Sequence, residues 1–129
     1  MRKILTAALL LVFLAYAETY AQKLDCSKFH NGTFKMSAGG RDYIITRSGT
    51  IQTERLEQLN TSMIFNVKWT DDCTYTLTPT KEVLQKYPAM PKNTLMTVRI
   101  IKTTKNSYTQ TTAANTINKV ITCEMVKIK

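Results

Sequence analysis

Three cysteines (Cys26, Cys73, Cys123), one histidine (His30) and one pair of adjacent acids (Asp71, Asp72) are the side chains here with the most chemistry to offer. A thiol becomes a nucleophile when a base sits beside it, and His30 is the one imidazole available. It lies in the polar turn His30-Asn31-Gly32, and nothing in the sequence orients it toward Cys123. A centre built on two histidines is excluded outright. The chain also lacks a Gly-x-Ser-x-Gly elbow, a phosphate loop, a His-Glu-x-x-His helix and a Cys-x-x-Cys pair. Asp71-Asp72 reads as a solvated turn rather than an acid/base pair. No catalytic residue, metal site or cofactor is therefore expected, and the chain reads as non-enzymatic.

What the cysteines do depends on the compartment. Arg2 and Lys3 precede an almost wholly apolar run from Ile4 to Ala17, followed by small residues at cleavage spacing. This is the pattern of a secretory signal peptide, expected as a helix over residues 1–21 and cut after Ala21, with Ala17 as the other plausible site. The run is too short to span a bilayer, which takes about 20 residues. No later segment is apolar enough to do so, so the mature chain is expected to be exported: periplasmic, at the outer-membrane surface, or secreted. In such a compartment cysteines pair by default. Three cysteines allow three pairings, and spacing alone does not choose among them. Context favours Cys26 with Cys73, which ties the segment before the first strand to the middle of the sheet. Cys123 is then a free thiol acting as a small apolar residue.

The elements that would position these residues are strands. Of the 108 residues in 22–129, 19 are threonine, and apolar and polar positions alternate throughout. Both features favour antiparallel strands with one buried face. Candidate strands run over 33–36, 42–47, 50–56, 62–69, 73–78, 95–104, 107–112 and 119–128. In the clearest, Met63, Phe65, Val67 and Trp69 share one face; in its neighbour Cys73, Tyr75 and Leu77 do. Ser48-Gly49, Asp71-Asp72 and Lys105-Asn106 are hairpin turns. Residues 81–86 form a short helix capped by Thr80, before Pro88 and Pro91. The expected fold is all-β: one domain over 22–129, a single antiparallel meander of about eight strands closing into a small barrel, with a β-sandwich as the alternative.

The full chain carries 18 Lys and Arg against 9 Asp and Glu, a net charge of +9. Removing residues 1–21 leaves 16 against 8, or +8. The basic residues are scattered, with no run of three. Arg41 and Arg47 flank the second strand; Lys127 and Lys129 read as the outward face of the last. Exposed lysines on strands block edge-to-edge pairing. Nucleic-acid binding would call for a concentrated basic face with stacking aromatics, so it is not expected. An anionic lipid or glycan of the cell envelope is the polyanion that export leaves available.

Several stretches together carry a resemblance: Cys26 to Phe34, Ile45-Thr46-Arg47 with Gln52-Thr53-Glu54, Val67 to Leu77, and Met125 to Ile128. The most specific is the Trp-x-x-Asp-Cys-x-Tyr-x-Leu run at Trp69–Leu77. With these the chain resembles a group of small exported proteins of Bacteroidetes, many bearing a DNA-topoisomerase-like label that nothing in these residues supports. The resemblance implies a bacterial exported lipocalin-like β-domain with Cys26 and Cys73 paired. It implies no catalytic or ligand residues, and Cys123 is not part of it.

The leading expectation is a monomeric binding domain holding a small apolar or amphipathic ligand in the barrel mouth. Met63, Phe65, Trp69, Tyr75, Met96 and Met125 are the candidate ligand-binding residues, because methionines and aromatics line irregular cavities well. The same residues would equally pack a solid core, since eight strands enclose a space only just filled by side chains. A surface protein using its basic exterior is the second reading, and a thiol enzyme using Cys123 and His30 the third.

Overall fold

The computed structural model describes residues 24–129; the signal peptide and helix expected over residues 1–21 lie outside the described residues. Eight strands follow in order: β1 Gly32–Ala38, β2 Arg41–Ser48, β3 Ile51–Leu56, β4 Thr61–Asp71, β5 Thr74–Pro79, β6 Met96–Thr103, β7 Ser107–Ala114 and β8 Val120–Lys127. Each pairs antiparallel with its neighbour in sequence. Phe34↔Lys127 and Lys35↔Val126 join β1 to β8 and close the barrel. The sandwich alternative is excluded by that closure. The one α-helix among the described residues, α1 Lys81–Lys86, starts at Thr80, whose Oγ1 accepts from the Val83 amide.

Alternation explains the strands. Along β4, Phe65 and Val67 are buried while Asn66 and Lys68 are exposed, and Tyr75 and Leu77 continue the inner face on β5. Burying such a face is the main stabilising term. The β1–β2 hairpin turns at Gly39 and Gly40, with φ of 60° and 74°, a backbone that side chains with a Cβ rarely adopt. Gly32 has φ of 139°, and an added Cβ there would meet the Lys129 carbonyl at 2.8 Å.

In a meander, alternate connections lie at opposite ends. The β2–β3, β4–β5 and β6–β7 turns share one end with the segment before β1. That segment plugs it. The 3₁₀ turn Ser27–Phe29 places Phe29 out of contact with solvent, its ring 5.0 Å from Tyr108 and 6.5 Å from Phe34. Cys26, also fully buried, is disulfide-bonded to Cys73 with Cα atoms 5.3 Å apart. The Cys26 amide donates to Asp72 Oδ2 at 3.0 Å, and the Gly49 amide to Asn31 Oδ1 at 2.8 Å. The opposite end, bounded by the Gly39-Gly40 turn and the long β5–β6 connection, carries no disulfide-held segment among the described residues; there α1 packs on β4 and β5 and buries Val83.

Three expectations need correcting. Cys73 lies in the turn after Asp72 and not in a strand, because a bulge between Trp69 and Asp71 shifts the β4–β5 register. Lys127 shares the face of buried Met125, and its Nζ reaches over the plugged end to the Lys28 carbonyl. Arg47 does not flank the second strand: it lies within β2 and faces the interior, at 1% exposure.

The disulfide closes a loop of 47 residues. Loop entropy then assigns it about 4 kcal/mol, because the cross-link restricts the unfolded chain. The double variant C26S/C73S should therefore unfold at markedly lower urea than the parent. Thiol titration of the unfolded, unreduced parent should find one free thiol, Cys123.

Candidate functional site

The interior is organised around Arg47. It follows Tyr43 and Ile45 on the inner face of β2, so the strand period carries it inward. All five of its N–H groups are used. Nε donates to the His30 carbonyl at 3.0 Å; Nη1 to Gln52 Oε1 at 2.8 Å and the Tyr75 hydroxyl at 3.0 Å; Nη2 to the Phe29 carbonyl at 2.7 Å and the Tyr108 hydroxyl at 2.9 Å. The guanidinium carbon also lies 4.6 Å from the Tyr75 ring centre and 4.9 Å from that of Phe34. Hydrogen bonds and ring faces of this kind offset the desolvation of a buried cation. With no donor left, Arg47 is not available to an anionic guest.

From Arg47 a polar relay runs toward the open end. Gln52 is buried; its Oε1 accepts from Arg47 and its Nε2 donates to Glu54 Oε1 at 3.0 Å. Tyr75 donates to Gln110 Oε1 at 3.3 Å, and Gln110 Nε2 to Thr112 Oγ1 at 3.3 Å. Above these groups is a cavity of about 250 Å³. Its walls are mainly apolar, with Met36, Ile45, Leu77, Met96, Val98 and Met125 among them. Gln52, Glu54, Gln110 and Thr112 supply the polar atoms. A second cavity of about 210 Å³, between Tyr43, Leu56 and Met63, shares Glu54 as a wall. Glu54 is the one charged residue lining either space. Burial raises its carboxyl above the ordinary value of 4.5, while the Gln52 hydrogen bond and the Arg47 charge pull the other way.

Of the six residues expected to bind a ligand, Tyr75, Met96 and Met125 line the larger cavity and Met63 the smaller. Phe65 and Trp69 line neither. Phe65 is packed with Val67, Tyr75, Leu77 and Val98, and Trp69 stacks on the His30 ring at 3.7 Å. Sequence reasoning missed Arg47, Gln52, Glu54 and Gln110. The signal was available in the register: each is a polar residue at an inward position of an alternating strand.

His30 and Cys123 are not brought together. His30 Nε2 bonds the Asp72 carbonyl at 2.7 Å and faces the Asp72 carboxylate at 3.5 Å, which makes that turn more than solvated. Cys123 is half-buried on the cavity wall, its Sγ 3.3 Å from Met36 Sδ. Burial, with the nearby Glu54 charge, holds its thiol above the ordinary range, so it is protonated at neutral pH. Cys26, Cys73 and Asp72 are close enough to suggest a metal site, but both sulfurs are committed to the disulfide.

Replacing Arg47 should be severe. Arg47→Met strands five acceptors and should cost about 3–5 kcal/mol, the range for breaking a buried charged network. Arg47→Lys brings only three donors and should still cost about 2 kcal/mol. Urea midpoints at constant slope measure both. Glu54 gives an opposite signature. With its folded value raised, the unfolded chain gives up its proton first as pH rises past 4.5, so stability falls from there through the folded value. The E54Q variant should escape that loss, becoming the more stable protein at neutral pH and converging with the parent below 4.5. Paired denaturation curves across pH check this.

Comparison with protein-family models, with curated proteins and with solved structures finds no match for the chain.

Proposed function

We propose that this chain is an exported, non-enzymatic binding domain that holds a small apolar or amphipathic molecule in the open end of its barrel. The observation that carries this is the cavity of about 250 Å³ at that end, apolar on most sides, with four polar side chains on its wall. Ligand sites have that composition. The volume exceeds the roughly 150 Å³ hole that accepts benzene and falls just below the ~300 Å³ typical of drug-sized ligands. A short amphipathic molecule, or one end of a longer one, fits it.

The disulfide supports export, because such bonds persist in oxidising compartments. The resemblance carried by Trp69–Leu77 agrees with a lipocalin-like domain of that kind. A protonated Cys123 without a base supports a non-enzymatic role.

Native mass spectrometry of the protein purified from its own host tests the proposal. A bound small mass, released under denaturing ionisation, is the expected result. Thr112→Trp places a bulky ring in the cavity and should lower occupancy while the fold persists. A parent protein with no bound mass and no uptake of an apolar fluorescent probe overturns the proposal.

A further inference from the structure

The cavity offers a guest one charged group, and that group is an acid. Glu54 Oε1 accepts from Gln52 Nε2, while Oε2 has no protein partner among the described residues. No buried side-chain oxygen or nitrogen among them lacks a partner, so Oε2 is open to solvent or to whatever enters. Among the described residues, no lysine, arginine or histidine forms a salt bridge with Glu54. The interior cation, Arg47, has every donor committed to protein acceptors.

This inventory is asymmetric. A carboxylate guest would meet Glu54 with no free cation to receive it, and like charges repel more strongly where water is scarce. An ammonium guest would find an open carboxylate oxygen already oriented by Gln52, with apolar walls beside it for its chain. Charge-assisted hydrogen bonds of that type are roughly twice as strong as neutral ones. The groups that share the space with Glu54 do not supply a competing cation: the phenols of Tyr75 on β5 and Tyr43 on β2 and the thiol of Cys123 on β8 are groups that cannot carry positive charge, and Arg47 on β2 acts through Gln52. We propose that the cavity selects small amphipathic amines, with Glu54 as the specificity-determining residue that receives the ammonium head and the methionine-lined wall receiving the hydrocarbon.

This rests on the binding-domain reading, and the test separates the two. Three chains of equal length serve as probes: n-hexylamine, n-hexanol and hexanoate, followed through the methyl resonances of Met96 and Met125. The amine should bind about tenfold tighter than the alcohol, or better, with hexanoate weakest. E54Q should erase the amine's advantage and leave the alcohol unchanged. If that variant does not fold, the parent decides. Its preference for the amine should decline as pH is lowered from about 8 to about 4, as the carboxyl takes up its proton. Equal binding of amine and alcohol, tightest binding of hexanoate, or a preference indifferent to pH overturns the amine selectivity and leaves the pocket standing. No response at Met96 and Met125 to any of the three overturns the pocket itself.

Discussion

A guanidinium taken out of water is the constraint around which the barrel is arranged. Its desolvation is tolerable only when every donor is met and the charge is spread over polarisable faces. Arg47 draws its acceptors from five places in the chain: the carbonyls of Phe29 and His30, and the side chains of Gln52, Tyr75 and Tyr108. Two belong to the N-terminal plug and three to strands β3, β5 and β7. One side chain therefore fixes the plug to the walls. The disulfide ties the same plug to the β4–β5 turn, so entropy and hydrogen bonding act on one segment.

That arrangement separates the two ends of the barrel. The plugged end is filled by the rings of Phe29, Phe34 and Tyr108 and by Arg47, in a space where large, stiff side chains leave few gaps. The open end is lined by methionines, shorter aliphatics and Cys123. The β1–β8 seam follows the same gradient. Its ladder is present near the plug, at Phe34↔Lys127 and Lys35↔Val126, and gives way toward the open end to the sulfur contact of Met36 with Cys123. An end with fewer ladder bonds opens at lower free energy than the rest of the barrel. Rigidity at the plug and compliance at the mouth come from the same distribution of side chains.

The strands were legible in the sequence because alternation is a local signal: Met63, Phe65, Val67 and Trp69 announce an inner face without reference to anything distant. So were the helix cap at Thr80 and the pairing of Cys26 with Cys73. Arg47 was not, although the same period that places Tyr43 and Ile45 inside places it there too. Its charge argued for the exterior, and the acceptors that reverse the argument lie 18, 28 and 61 residues away, at Phe29, Tyr75 and Tyr108. Gln52 and Glu54 were hidden by their polarity, although their partners lie only 5 and 2 residues away. Spacing puts Phe65 and Trp69 on the face that could line a cavity, but height along the barrel depends on strand stagger, which spacing does not carry. Whether the interior is hollow depends on how side chains of eight strands meet, which no single stretch encodes.

Glu54 remains the one interior group whose presence stability does not explain. Arg47 is satisfied by neutral acceptors and Gln52 could bond to water or a second amide, so nothing in the network requires a carboxylate at its outer end. A half-buried acid with a raised proton affinity makes the folded state less favourable at neutral pH. Most such conflicts between local energetics and sequence sit where a protein meets something else. Here the conflict lies on the wall shared by both cavities, one hydrogen bond from the buried cation, with an oxygen left open. A neutral barrel of the same shape would bind apolar molecules as well and fold more easily. Under the proposed function, what the acid adds is discrimination by charge.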